Sequence, residues 1–156
     1  MEINTDFTRS VTAVVFREGK VLLGRHTYGN GKGLLIVPGG YIKNGEDPRE
    51  AVKREYLEET GVVIEPEEVI GIRFRKNDWY VAFSANYISG EARSDEDEND
   101  LVVWMDIDEA LQREDVPGLT KELILANQRK EKGFVEHDYD PLKEIGVLYG
   151  VDLESK

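Results

Sequence analysis

Residues 40–62 read GYIKNGEDPREAVKREYLEETGV, and the strongest helix of the chain lies inside them. Asp47 stands at the N-cap and Pro48 at the first helical position. Glu50 falls where a capping box wants an acid, and Gly61 closes the C-terminus. On this helix Glu55, Glu58 and Glu59 are spaced i, i+3, i+4, which puts them within an arc of roughly 100°. Ala51 and Val52 lie on the same side, so the acids share the face turned toward the protein. Three carboxylates there repel one another and resist desolvation. A divalent cation removes that objection. With no cysteine in the chain and only His26 and His137 as imidazoles, the donors are oxygens, which favours Mg²⁺ or Mn²⁺.

Outward from the helix, the chain alternates strands and helices. Ser10–Phe16 and Lys20–Arg25 read as a hairpin about Glu18-Gly19, and residues 26–33 as a glycine-rich loop. Leu34–Val37 is a short strand stopped by Pro38-Gly39-Gly40. Val62–Ile64, Val69–Arg75, Trp79–Ile88 and Leu101–Trp104 follow as strands, with an acidic loop before the last. A second helix is expected from Leu119 to Lys132, and a short one from Pro141 to Tyr149. This order predicts an α/β protein with a mixed sheet and helices on its faces.

The polar and glycine positions of the quoted stretch are Gly40, Glu46, Arg54-Glu55, Glu58-Glu59 and Gly61, with apolar Val62 behind them. They resemble the Nudix box, G-x5-E-x7-R-E-U-x-E-E-x-G-U with U a bulky apolar residue, the signature of the MutT-like Nudix hydrolases. Tyr56 stands where an aliphatic residue is usual and reads as a packing variant. The resemblance implies an α/β/α sandwich in one domain spanning residues 1–156, with a core at about 8–133 and a tail at 134–156. It implies a pyrophosphohydrolase in which metal-activated water attacks phosphorus in a nucleoside diphosphate linked to another group. Glu58 and Glu59 become metal ligands, and Glu55 a ligand or the base. Arg54 orients a glutamate. Glu46 supports the metals or holds the loop, and the Gly39 carbonyl is a further candidate ligand. Outside the box, Asp95–Asp100 (DEDEND) offers Glu98 as an extra base or ligand.

Arg73 and Arg75 alternate along a strand and are candidates for polyphosphate contact. Tyr80 or Trp79 could stack on a base, as could His26 with Tyr28 in the glycine-rich loop. The marks that resemble ADP-ribose and NADH enzymes downstream of the box are missing. Nucleoside triphosphates, ADP-ribose-like sugars and dinucleoside polyphosphates all stay compatible with the resemblance, because the box handles only the diphosphate. The alternative is a Nudix-fold module that senses a nucleotide without turnover, against which the full set of box acids argues.

Composition sets the remaining bounds. The 156 residues carry a formal charge of −12, which disfavours a long nucleic-acid partner on a broad basic surface. Residues 91–115 hold eleven acids and two arginines, whereas residues 1–39 hold five bases and three acids. A small anionic substrate therefore finds its more favourable ground on the N-terminal half. No apolar run suggests a signal or a membrane span, so a cytoplasmic protein is expected. A homodimer is compatible with the family and is decided by no residue here.

Overall fold

The computed structural model describes residues 7–129, 133–139, 142 and 146–154. Strands β1 (Thr8–Arg17) and β2 (Lys20–His26) form the expected hairpin. Its turn residues Glu18 and Gly19 have φ of 53° and 77°, the left-handed pair that matches the twist of a two-residue hairpin. Strands β3 (Leu35–Ile36) and β4 (Gly39–Tyr41) lead into helix α1 (Pro48–Thr60). Then come β5 (Val63–Arg75), β6 (Asp78–Ser89), β7 (Asn99–Asp106), helices α2 (Ile107–Gln112) and α3 (Gly118–Gln128), and the small strands β8 (Val135–His137) and β9 (Leu148–Gly150).

The main sheet runs β3-β2-β1-β6-β5, with β4 also on β1 and β7 also on β2. β1 and β6 are parallel from Thr8↔Asp78 to Val15↔Ala85, while the other pairs are antiparallel. The sheet is therefore mixed. Its two faces are both covered. Ala51, Val52 and Tyr56 of α1 pack with Val11, Ala13, Val15, Leu22 and Phe83. Ala110, Leu123 and Ile124 of α2 and α3 pack with Val14, Val21, Leu23 and Ala82 on the other side. This is an α/β/α sandwich. It explains why Val11–Val15 contains so few polar residues: a strand buried on both faces has no solvent side to alternate with.

α1 begins and ends where its residues direct. The Asp47 side chain accepts a hydrogen bond from the Arg49 amide at 2.7 Å. Gly61 takes φ 75°, and its N–H donates to the Leu57 carbonyl at 3.1 Å. Tyr56 is fully buried, and its hydroxyl donates to the Ala13 carbonyl. The aromatic variant of the box thus fills the core and satisfies its own polar atom.

Three expectations are corrected. Val62–Ile64 and Val69–Arg75 belong to one strand, β5, whose pairing with β6 shifts register near Pro66 and Val69. Bulges absorb the proline and the Glu67-Glu68 pair that had suggested a break. α2 is an addition: Asp106 caps it by accepting from the amides of Asp108 and Glu109 at 3.0 and 3.3 Å, and six residues are too few to show a helical period. In the tail, Leu148–Gly150 is a strand paired with Val135–His137. Tyr149 sets its ring against Phe83, with centroids 5.5 Å apart, so burial of that ring competes with local helix formation. The remainder of the expected Pro141–Tyr149 helix includes residues 141 and 143–145, outside the described residues. The helix expected from Leu119 to Lys132 is α3, which ends at Gln128 with Arg129 extended, and residues 130–132 are outside the described residues.

Candidate active site

Glu55 and Glu59 project from one side of α1, and Glu98 approaches from the loop ahead of β7. One carboxylate oxygen from each lies within 4.8 Å of the others. Gly40 makes room for this. A Cβ there would stand 2.6 Å from both carboxylate oxygens of Glu55, so a larger residue would have to push that carboxylate aside. Glu59 is 6% exposed, deeper than a helix-face acid read from spacing alone would suggest.

Arg54 organises the remaining box acids. Its Nε and Nη2 donate to the two oxygens of Glu46 at 2.8 and 2.9 Å, a fork-on-carboxylate pair. Nη1 donates to Glu55 at 2.9 Å and to Glu58 at 3.2 Å. Glu46 and Glu58 therefore stand outside the group of three, each on the guanidinium, and Glu58 is exposed.

Burial pushes the Glu59 carboxyl up to about 9, helped by its hydrogen bond with Glu98 and the charge of Glu55. The backbone of Gly39 offsets part of this. Glu55 is raised as well, first by burial, with Arg54 pulling the other way. Glu46 moves oppositely: the hydrogen bond from Arg54 lowers it to about 2. Without a cation, then, Glu59 resists giving up its proton, whereas Glu46 is readily ionised beside Arg54. An all-oxygen cluster whose members resist joint ionisation fits a hard divalent cation, whose charge would reverse that resistance.

These three acids line a cleft of about 450 Å³ together with Gly39, Arg73, Arg75, Tyr80 and His26. The four residues expected to meet substrate thus share one cavity with Glu55, Glu59 and Glu98, whereas Glu46 and Glu58, also expected to hold metal, do not line it. Arg73 is already engaged there. Its Nη2 donates to Asp78 at 2.9 Å, and its guanidinium lies 4.6 Å over the Tyr80 ring. Arg75 is exposed. His26 stacks on Tyr28, with centroids 5.8 Å and planes 16° apart. Trp79, the other stacking candidate, is edge-on to Phe7 and Phe74.

Reading the sequence missed Thr8, Ser10, Asp78 and Asn99. Ser10 and Thr8 donate to Asp78 at 2.8 and 2.7 Å, contacts created by the β1–β6 pairing between residues far apart in the chain. Asn99 donates to the Glu59 carbonyl at 2.9 Å. No local pattern announces either.

The sequence matches the NUDIX domain over residues 6–126. The chain belongs to the Nudix family. Among curated proteins, this Nudix chain is 32% identical over 108 residues to the NAD-capped RNA hydrolase NudC of Actinobacillus succinogenes. That match covers 65% of this chain and 41% of the relative. It is 29% identical over 94 residues to the ADP-ribose pyrophosphatase of Methanocaldococcus jannaschii, covering 56% of each. The matched part is thus less than two thirds of either relative. Among solved structures, a NUDIX hydrolase from Nitrosomonas europaea superposes with a TM-score of 0.72 at 24% identity, over 81% of this chain and 92% of that one. The Nudix fold described above is therefore shared in three dimensions as well as in sequence. Among the described residues, no helix is long and apolar enough to cross a membrane.

Proposed function

We propose that this Nudix domain is a divalent-metal-dependent pyrophosphohydrolase that cleaves a nucleoside diphosphate linked to a second group. One observation carries the reading: three carboxylates, Glu55, Glu59 and Glu98, converge within 4.8 Å in a cleft whose other lining includes Arg73, Arg75, Tyr80 and His26. Acids alone would repel a diphosphate. Acids holding a cation, facing arginines across a cavity of about 450 Å³, attract one.

Glu55, Glu59 and Glu98 would hold Mg²⁺ or Mn²⁺, with Glu58 and the Gly39 carbonyl as further donors. The bound ion supplies neutralisation of phosphate charge and a lowered pKa for water. Arg54 keeps Glu55 aimed into the cleft through its 2.9 Å hydrogen bond, and Glu46 keeps Arg54 in place. When water attacks one phosphorus of the diphosphate, the bridging P–O bond breaks, the other phosphate leaves with its group, and a proton of the water passes to a cleft carboxylate, Glu98 or Glu55. Arg75 meets the phosphates leaving the reaction centre, and the His26–Tyr28 stack offers a face to a base.

The two named relatives act on NAD-capped RNA and on ADP-ribose, so the substrate search starts from pyrophosphates joined to a ribosyl group. The charge of −12 favours the small molecule over a long RNA body. The test is phosphate and nucleotide release from NADH, ADP-ribose, nucleoside triphosphates and diadenosine polyphosphates with Mg²⁺ or Mn²⁺, beside Glu59→Gln. Metal-dependent turnover that vanishes in the variant is expected. Nucleotide binding with no turnover of any substrate would replace the hydrolase with a sensing module.

A further inference from the structure

Glu98 reaches the cleft from a segment that electrostatics alone would keep away. Residues 95–100 hold five acids in six positions, and they approach two more, Glu55 and Glu59. Something must hold the loop against that repulsion. Asn99 is only 3% exposed. Its Nδ2 donates to the Glu59 carbonyl at 2.9 Å, and its Oδ1 accepts from the Asp95 amide at 3.3 Å. The Glu59 carbonyl belongs to the last turn of α1, where backbone acceptors have no partner within the helix. On the other flank, the Thr27 amide donates to the Glu98 carbonyl at 3.1 Å. The Thr27 hydroxyl donates to the Asp97 carbonyl at 2.6 Å.

We infer that Asn99 is a positioning residue that ties the Glu98 loop to the end of α1 and so sets the Glu98 carboxylate beside Glu59, with Thr27 bracing the opposite flank. The inference rests on the hydrolase reading above. An amide suits the position because it donates to a carbonyl and accepts from an N–H at once. Aspartate lacks the donor for the Glu59 carbonyl and would add a charge next to an already crowded cluster. One side chain thus joins two site residues separated by 39 positions, Glu59 to Glu98. Without it, the loop loses the side-chain tie to the Glu59 carbonyl, and the backbone bond from Arg93 to the Thr60 carbonyl, farther from Glu98, and the Thr27 bonds are left to keep the carboxylate in reach.

The test is a double-mutant cycle between Asn99→Ala and Glu98→Gln, read in kcat and in Mn²⁺ affinity by electron paramagnetic resonance. Asn99→Ala should lower kcat by about 10–100-fold and weaken Mn²⁺ binding by about tenfold. In the Glu98→Gln background the same change should cost less than about twofold in either quantity. Equal losses in both backgrounds would overturn the inference, because Asn99 would then be acting through α1 or through the fold. If Asn99→Ala does not fold, Thr27→Val takes its place: a smaller loss in the wild-type background and none beside Glu98→Gln is expected, and equal losses overturn it. Should the wild-type protein bind Mn²⁺ but turn over no substrate, the hydrolase reading falls alone and the Mn²⁺ cycle decides Asn99. Failure to bind Mn²⁺ at all overturns both.

Discussion

Replacing Glu59 with glutamine separates the functional account of this acid from a structural one. In the metal-free protein its carboxyl ionises at about 9 rather than at the ordinary 4.5. A carboxyl raised on folding contributes stability that is fully present below about pH 4.5 and is lost progressively as pH rises toward about 9. At pH about 7 the loss for an isolated group is at most ~3 kcal/mol. The Glu55 carboxyl beside it is raised too and is coupled to it, which lowers the figure to ~1–2 kcal/mol. Glutamine fills the same space with no charge to desolvate. Metal-free Glu59→Gln should therefore melt about 2–6 °C above wild type near pH 8, and level with it near pH 5. The order should invert on adding Mg²⁺: wild type gains stability by binding, the variant does not, and its turnover falls by at least about 100-fold. Thermal melts at both pH values, with and without the ion, read all of this. A variant that melts lower than wild type at both pH values without metal, and is still stabilised by Mg²⁺ as wild type is, would show that Glu59 serves the fold and not the ion.

Because the cation must displace a proton from Glu59, Mn²⁺ affinity should rise about tenfold per pH unit between roughly pH 6 and 8 and level off beyond about 9. Calorimetry in buffers of different ionisation enthalpy counts the released proton, and a pH-independent affinity would contradict the raised pKa. Gly40→Ala places a methyl 2.6 Å from both Glu55 oxygens. It should displace the Glu55 carboxylate and weaken Mn²⁺ binding by at least about tenfold, whereas an unaffected Mn²⁺ affinity would remove Glu55 from the metal site. Arg54→Lys gives up the two-pronged contact with Glu46 and should lower kcat by about 10–100-fold with a smaller change in KM. Relieved of the guanidinium, Glu46 should titrate well above its value of about 2, which carboxylate NMR shifts would report, and an unmoved Glu46 would mean another group holds it.

The box was legible because its chemistry is local. A capped helix with acids at i, i+3 and i+4 states its own geometry, and Gly40, Glu46 and Arg54 lie close to it in sequence. Glu98 could be picked out of the DEDEND loop by position. What puts it there could not, since the Asn99–Glu59 bond joins segments that only the folded sheet brings together. Burial was misjudged for the same reason: spacing gives Glu55, Glu58 and Glu59 one face, but the packing of β4 and the Glu98 loop against that face decides that Glu59 is enclosed and Glu58 is not. The arginines show the limit from the opposite side. Along β5, Arg73 and Arg75 look equivalent, two cations on one face of a strand. The parallel register of β1 with β6 gathers Thr8 and Ser10 around the Asp78 carboxylate, and that carboxylate holds Arg73 at 2.9 Å. Its charge is thereby matched inside the protein before any substrate arrives. Two residues with the same local pattern are given different work by a pairing 68 positions away, Ser10 to Asp78. In this cleft local sequence supplies the reactive side chains, and long-range register decides which of them remain available to a phosphate.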